Sequence, residues 1–211
     1  MSDNKIIAPS IGYDRLRITT DGEGVTTLFC FWGCPLRCKH CLNPQSWKIR
    51  KNVKEFTPQQ LFELVAIDNL YFLATGGGIT FGGGEPLLYP SFIREVYELA
   101  KGEWNINIET SLNVPQESLR MVADFVHQYI IDIKDMNDEI YTRYTGKSNA
   151  QVLKNLKWLV EVVGAKKIMV RVPLIPDYNT QKDVEHSIDL LKKEYGIEKI
   201  DQFKYHLVDK I

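Results

Sequence analysis

Short apolar runs alternate along most of the chain with longer segments in which apolar residues recur every three or four positions. Runs of the first kind are typical of buried β-strands, and segments of the second kind predict amphipathic helices. Thr57-Pro58 matches a helix N-cap followed by proline at the first helical position. The predicted strands cover 24–32, 78–81, 104–109, 129–133, 167–173 and 199–205. The predicted helices cover 58–70, 91–101, 115–125, 150–163 and 181–195.

This alternation predicts an α/β fold with about six β/α units. Crossover helices of this length join parallel strands, so we expect the six strands to be parallel. Six units are too few for a closed eight-unit barrel. We therefore predict a partial, open (β/α)6 barrel in a single domain over residues 1–211. Residues 1–12 are expected to form a loose lead-in, and 15–20 an edge strand or arm.

Composition restricts the partners of the chain. Of its 211 residues, 44% are hydrophobic and 25% are charged, which is ordinary for a globular protein. The formal net charge of −1 gives no electrostatic reason to expect nucleic acid or an anionic membrane as a partner. No apolar stretch has the length of a membrane span, and no signal-peptide core follows the N-terminus. We expect a cytoplasmic protein.

All four cysteines lie between Cys30 and Cys41, and three of them follow the first predicted strand with the spacing C-x3-C-x2-C. Thiolates select iron–sulfur clusters, zinc or Cu(I). A zinc knuckle could recruit Cys30 or His40 as the fourth ligand, but zinc sites usually close with paired ligands further along the chain. The alternative is a [4Fe–4S] cluster on Cys34, Cys38 and Cys41. Its free iron could chelate the amino and carboxylate groups of an amino acid.

Polar residues follow every predicted strand. In parallel β/α folds, functional groups collect at the carboxyl ends of the strands, so these residues are expected on one rim. After the cysteine loop, in strand order, they are Gly82–Glu85, Glu109 with Ser111, Asp132 with Lys134, Arg171, and His206. Such a set favours a cofactor pocket over a simple metal-stabilised module.

The motif Cys34-x3-Cys38-x2-Cys41 resembles the radical S-adenosylmethionine (radical SAM) superfamily. The segments 32–44, 76–88 and 132–138 and the pair Tyr205-His206 resemble, in the same order, the glycyl-radical-enzyme activating enzymes. The resemblance implies that the three cysteines hold a [4Fe–4S] cluster whose open iron binds S-adenosylmethionine. One electron then cleaves the sulfonium bond, and the 5′-deoxyadenosyl radical abstracts a hydrogen from a backbone glycine of a partner glycyl radical enzyme. A flavodoxin or ferredoxin would supply the electron under anaerobic conditions.

The resemblance also assigns roles at the cofactor. Gly83, Gly84 and Glu85 would meet the methionine amino group; without the cysteines, the same residues would indicate only a tight turn. Asp132 and Lys134 would bind the ribose or the carboxylate, and the alternative is a surface ion pair.

Three further residues would complete the cofactor site. Arg171 would bind the cofactor carboxylate, unless it pairs with Glu109 or Asp132. His206 would lie beside the cofactor, although a lone histidine is more often structural. His40 would pack on the adenine or contact it through its backbone.

The sequence departs from the family pattern at two places. Asp21-Gly-Glu-Gly stands where the family has Asp-Gly-Pro-Gly, and Glu109-Thr110 stands where Asp-Thr is usual. The second departure leaves open whether a monovalent cation binds there. Cys30 has no family role and is expected to be a buried structural thiol. The alternatives to an activating enzyme are a radical SAM enzyme acting on a small molecule or peptide, and a non-enzymatic zinc or iron–sulfur module.

Overall fold

The computed structural model describes residues 6–48 and 53–205, which form strands and helices in the alternating order expected of an α/β protein. The strands are β1 (Ala8–Ile18), β2 (Val25–Phe31), β3 (Lys54–Phe56), β4 (Gly78–Gly83), β5 (Asn105–Thr110), β6 (Gln128–Asp132), β7 (Ile168–Leu174) and β8 (Ile200–Lys204). The helices are α1 (Pro58–Ala66), α2 (Asn69–Thr75), α3 (Pro90–Leu99), α4 (Gln116–Arg120), α5 (Asp138–Thr145), α6 (Ala150–Val163) and α7 (Gln181–Tyr195).

The strands form one sheet in the order β3-β1-β2-β4-β5-β6-β7-β8. The pairs β2–β4, β4–β5 and β7–β8 are parallel, as predicted. Because β3 and β8 each have a single neighbour, the sheet is open and does not close into a barrel. The prediction of an open α/β sheet is confirmed. No helix in the described ranges is long and apolar enough to cross a membrane.

Local signals placed several helices accurately. Helices α6 and α7 have the predicted bounds. Helix α1 begins with the expected cap, because the Thr57 hydroxyl accepts from the Gln60 backbone N–H and Pro58 occupies the first helical turn. The predicted helix 115–125 was too long, since only Gln116–Arg120 is α-helical.

Parts of the fold were not predicted, although residues 15–18, expected in an edge strand or arm, do belong to β1. Residues 8–12 were expected in a loose lead-in, but they belong to β1, which pairs antiparallel with both β2 and β3. That expectation was wrong for 8–12, because a register irregularity between Ser10 and Gly12 breaks the polar–apolar alternation that would mark a strand. Helix α5 was missed because it is short and polar, and it depends on the Asn137 side chain, which caps its first turn.

The described residues fall into two compact units, each made of several chain segments. The first unit comprises 6–34, 43–48, 53–110 and 115–130, and the second comprises 35–42, 111–114 and 131–205. The first is built around a cluster of aromatic rings, in which stacked and edge-on pairs have centroid separations of 5.0 to 6.3 Å: Phe29, Phe31, Phe81 and Phe92. The second contains a cluster of Tyr144, Ile175 and Tyr205. The single domain stays a prediction.

Candidate cofactor-binding site

In the first unit, the backbone of Gly33 fixes the chain where the cysteine motif begins. The Gly33 N–H donates to the Ser46 carbonyl at 2.6 Å, and the Gly33 carbonyl accepts from the Glu85 N–H at 2.7 Å. Gly33 has φ +105°, and a Cβ there would lie 3.2 Å from both Leu88 Cδ1 and the Tyr89 hydroxyl. The position therefore requires glycine. Cys34 follows directly from this anchored residue.

The turn after β4 is the second fixed feature of the first unit. The Gly84 N–H donates to the Phe31 carbonyl at 3.0 Å. An added Cβ on Gly84 would lie 2.1 Å from the Gly33 carbonyl oxygen, and one on Gly83 would lie 2.6 Å from Cys30 Cβ. Gly83 also has φ +88°. The absence of side chains therefore lets two strand ends approach closely, and the half-buried backbone of Gly83 and Gly84 remains accessible to a ligand.

Glu85 lies inside the turn that follows β4. Its residue is fully buried, and it caps the short 3₁₀ helix Pro86–Leu88. The Oε1 atom accepts from the Leu87 N–H at 3.2 Å and from the Thr110 hydroxyl at 2.7 Å. The carboxyl group thus holds the turn together. Thr110 was missed as a site residue, although its place at the end of β5 was a usable signal.

Cys30 lies on β2 against Gly83, and its thiol is half-buried. Burial, followed by the Glu109 carboxylate, raises the pKa of this thiol to about 11. In the second unit, burial raises the pKa of Cys38 to about 11 as well, although Lys134 opposes the shift. The thiol pKa therefore does not distinguish Cys38, an expected cluster ligand, from Cys30, which is expected to be structural. The separation rests on their spacing in the motif.

In the second unit, the loop 35–42 lies on the C-terminal end of α5. The Arg37 N–H donates to the Thr145 carbonyl at 2.9 Å, and the Lys39 N–H donates to the Tyr144 carbonyl at 3.2 Å. Within the loop, the Cys41 N–H donates to the Cys38 carbonyl at 3.3 Å. Cys38 packs against the cluster of Tyr144, Ile175 and Tyr205. Helix α5 therefore positions two of the three motif cysteines.

His40 sits between two tyrosine rings. Its ring contacts Tyr178 edge-on, with centroids 5.6 Å apart, and lies 6.0 Å from the Tyr144 ring. Its Nε2 atom is buried and has no hydrogen-bond partner in the described part of the chain. A buried polar atom without a partner is costly and needs an explanation. A bound molecule that reaches this nitrogen would supply one, and an aromatic surface suits a flat ring such as adenine.

Asp132 and Lys134 form the ion pair that was weighed as an alternative to ligand binding. Lys134 Nζ donates to Asp132 Oδ2 at 3.0 Å and to the Tyr205 hydroxyl at 3.2 Å. The Lys134 side chain is 7% exposed and that of Asp132 38% exposed, so the pair is not confined to the surface. Burial alone would lower the pKa of Lys134. Asp132 and then Tyr205 raise this pKa by more than burial lowers it, so the net pKa lies well above its usual value. Lys134 is therefore a buried cation beside an accessible carboxylate.

The two remaining predicted residues are Arg171 and His206. Arg171 lies on β7 opposite Asp201 of β8, and its carbonyl accepts from the Ile133 N–H at 3.1 Å. Its contact with the cofactor carboxylate stays a prediction. His206 lies outside the described residues. Tyr205, its neighbour, was noticed only as part of a motif, and its hydroxyl is a partner of Lys134.

The donor types present fit a cluster and its amino-acid-like cofactor. All four cysteines are free thiols. The glycine turn provides accessible backbone, and His40 offers an unpartnered nitrogen. Within 6–48 and 53–205, no three His, Cys, Asp or Glu side chains are grouped as metal ligands. The assembly of Cys34, Cys38 and Cys41 around one cluster therefore stays a prediction from the motif.

Comparison with known proteins agrees with this chemistry. Residues 30–191 match the model of the Radical SAM superfamily. Over 193 residues the chain is 32% identical to the pyruvate formate-lyase-activating enzyme of Clostridium pasteurianum, a match that covers 88% of this chain and 77% of the relative.

Solved structures show the same fold. A domain of the pyruvate-formate lyase-activating enzyme from Bacteroides vulgatus has a TM-score of 0.53 and 29% identity, covering 62% of this chain and 82% of that one. SuiB of Streptococcus suis, bound to S-adenosylmethionine, has a TM-score of 0.60 and 15% identity, covering 83% of this chain. This chain spans 39% of SuiB, and the likeness to SuiB concerns the fold alone. The chain therefore belongs to the radical SAM superfamily, in the family of the pyruvate formate-lyase-activating enzymes, whose cofactors are a [4Fe–4S] cluster and S-adenosylmethionine.

Proposed function

We propose that this protein activates a glycyl radical enzyme by removing a hydrogen atom from a backbone glycine of that partner. The observation that carries the proposal is the 32% identity to a pyruvate formate-lyase-activating enzyme over 88% of the chain, which includes the three-cysteine motif. When bound on Cys34, Cys38 and Cys41, the cluster and S-adenosylmethionine together supply the 5′-deoxyadenosyl radical for this step. The protein orients these cofactors and excludes side reactions.

The first unit would hold the methionine end of the cofactor. Gly83 and Gly84 expose backbone in a turn whose shape is set by close contacts. Because Glu85 is fully buried and Thr110 donates to its carboxyl group, we assign these two residues to keeping the turn in place. The ammonium group would then be met mainly by the backbone, with Glu85 acting from behind it.

The second unit would supply the charged and aromatic contacts. Lys134 and Asp132 offer a cation and an accessible carboxylate for the cofactor carboxylate and the ribose. His40 would contact the adenine, and the burial of its unpartnered Nε2 atom supports this role. Arg171 would bind the carboxylate, and His206 would lie beside the cofactor.

The reaction requires partners that the chain does not contain. The names of its relatives make a pyruvate formate-lyase the first candidate for the protein substrate. A flavodoxin or ferredoxin would provide the electron. Both belong to the cytoplasm of an anaerobically growing cell, where we place this protein. The net charge of −1 gives no support to a nucleic-acid or membrane partner.

The proposal is tested with protein reconstituted anaerobically with iron and sulfide. We expect about four irons per protein chain. With a chemical reductant, the protein should cleave S-adenosylmethionine to 5′-deoxyadenosine and produce a glycyl-radical EPR doublet on pyruvate formate-lyase. Cys38→Ala should lose the cluster, whereas Cys30→Ala should keep it. Stoichiometric zinc, or a cluster that does not react with S-adenosylmethionine, would contradict the proposal. Formation of 5′-deoxyadenosine with no radical on any glycyl radical enzyme would instead favour a small-molecule or peptide substrate.

A further inference from the structure

Two segments of the second unit are unusually basic. The segments 35–42 and 143–148 contain Arg37, Lys39, Arg143 and Lys147, and they contain no Asp or Glu. The chain as a whole has a net charge of −1, with 26 basic and 27 acidic residues. Four cations without an acid therefore represent a local excess of positive charge. We refer to these four residues as the basic patch.

The fold brings the two basic segments together. Backbone hydrogen bonds join Arg37 to Thr145 and Lys39 to Tyr144, at 2.9 and 3.2 Å. A Cβ on Gly146 would lie 4.0 Å from Arg37 Cβ. All four members of the basic patch are exposed. The patch is therefore a continuous surface made by the cysteine loop and the end of α5.

The charges of Lys39, Arg143 and Lys147 are available to a partner. Lys39, Arg143 and Lys147 form no ion pair with any described residue. Arg143 donates to the Tyr178 carbonyl and lies 5.5 Å from the centre of that ring, which holds its guanidinium in place without neutralising it. The exposed Asp177 is the nearest acid in sequence to Tyr178, and no ion pair joins it to Arg143.

An ordinary explanation covers only part of the basic patch. Cations at the C-terminal end of a helix interact favourably with the helix dipole, and Arg143 lies in the last turn of α5. The acids of this helix, Asp138 and Glu139, lie in its first turn, and Asp138 accepts from the Ser148 hydroxyl at 2.8 Å, next to Lys147 in sequence. Lys39 also lies at this helix end, because its N–H donates to the Tyr144 carbonyl, but the dipole there is equivalent to only about half a negative charge, which four cations exceed. The excess charge on the cysteine loop itself requires another reason.

We propose that the basic patch is the docking surface for an acidic one-electron donor protein. This inference rests on the proposed function, in which the cluster must receive an electron from another protein. Because Arg37 and Lys39 flank Cys38, and Lys39 lies two residues before Cys41, a donor bound at the patch would approach the loop that supplies two of the cluster ligands. The docked donor loses one electron, the cluster gains it, and no bond is made or broken. Opposite charges increase the rate of such encounters and make it sensitive to salt.

The test is the rate of 5′-deoxyadenosine formation by the reconstituted enzyme with limiting reduced flavodoxin. We expect the double variant Lys39→Glu/Lys147→Glu to lower the second-order rate constant about tenfold at low salt. About 0.5 M salt should remove most of the difference from wild type. The neutral pair Lys39→Gln/Lys147→Gln should show a smaller loss. With photoreduced deazaflavin, a small uncharged reductant, all of these proteins should react at the wild-type rate.

Matched controls separate the possible outcomes. Lys154→Glu/Lys192→Glu makes the same change of charge at exposed positions of α6 and α7 and should react normally with flavodoxin. An equal loss in this control, or no loss in Lys39→Glu/Lys147→Glu, would overturn the docking surface. So would an equal loss with deazaflavin, or a loss seen only in radical transfer to pyruvate formate-lyase. A wild-type enzyme that forms no 5′-deoxyadenosine with deazaflavin would overturn the proposed function and the docking surface with it.

Discussion

The two units hold their candidate cofactor-binding residues in different ways. In the first unit, Gly83 and Gly84 form a turn whose shape is set by backbone contacts, and the buried Glu85 is bonded to Thr110 and Leu87. In the second unit, His40 has a buried nitrogen with no partner among the described residues, and Lys134 is paired with a carboxylate that is 38% exposed. The first contribution is preformed, whereas the second is left for a ligand to complete.

This difference distinguishes two ways in which a compact unit can present groups to a ligand. A preformed turn loses little conformational freedom on binding, but its shape depends on tight packing, so changes there should damage folding and binding together. Side chains whose polar atoms are accessible to a ligand can be changed with little effect on the free energy of unfolding, because they make fewer stabilising contacts within the protein. Substitutions in the two units should therefore differ in whether they change the free energy of unfolding, cofactor binding, or both.

Gly84→Ala should cause the largest loss. The new Cβ would lie 2.1 Å from the Gly33 carbonyl oxygen, and a backbone atom cannot move away cheaply. We expect the free energy of unfolding to fall by about 3 kcal/mol, with loss of S-adenosylmethionine binding. Denaturant unfolding and equilibrium dialysis measure the two effects. Gly164→Ala is the control: Gly164 has φ +81° but open space around it, so the cost there should be backbone strain of about 1 kcal/mol.

Thr110→Val should have the next largest effect. It removes the hydroxyl that donates to the buried Glu85 carboxyl group at 2.7 Å, which should reduce the free energy of unfolding by about 2 kcal/mol. Binding of S-adenosylmethionine should weaken in parallel, because the turn loses its support. Thr110→Ser keeps the hydroxyl and should restore both properties. Normal stability in Thr110→Val would show that the turn does not depend on this bond.

Lys134→Met should separate binding from folding. Loss of the cation beside Asp132 should weaken S-adenosylmethionine binding about tenfold, or about 1.4 kcal/mol. The free energy of unfolding should change by less than about 1 kcal/mol, because Asp132 is 38% exposed and water can replace its lost partner. Calorimetric titration and thermal unfolding measure these quantities, with the exposed Lys154→Met as control. A large loss of stability with unchanged binding would reverse the assignment of Lys134.

His40→Phe should have the smallest effect. Phenylalanine keeps the ring contacts with Tyr178 and Tyr144 but removes the unpartnered Nε2 atom. We expect the folded state to be as stable as wild type or more stable by less than about 1 kcal/mol. Affinity for S-adenosylmethionine should fall about threefold, or about 0.7 kcal/mol, if the nitrogen meets the ligand. Unchanged affinity would indicate that only the ring surface is used.

Much of the fold followed from local pattern. The bounds of α6 and α7 and the Thr57 cap could be predicted because helix periodicity and capping involve residues three or four positions apart. Residues 8–12 of strand β1 could not, since they are stabilised by pairing with β2 and β3 and not by their own alternation. Helix α5 was missed for a related reason: it is short, and its burial and cap decide its stability more than its propensity does.

The sequence by itself determined the chemistry of this protein: the three-cysteine motif, the glycine turn and the polar residue types at the strand ends. These signals are readable because metal ligation and tight turns demand particular residues at particular spacings. Only the tertiary structure decided how those residues are used. It buried Glu85 against a threonine 25 positions away, and it joined Lys134 to a tyrosine 71 positions away. It also placed Lys39 beside the end of α5. Contacts of this kind depend on packing between segments that are distant in sequence, so no local pattern predicts them.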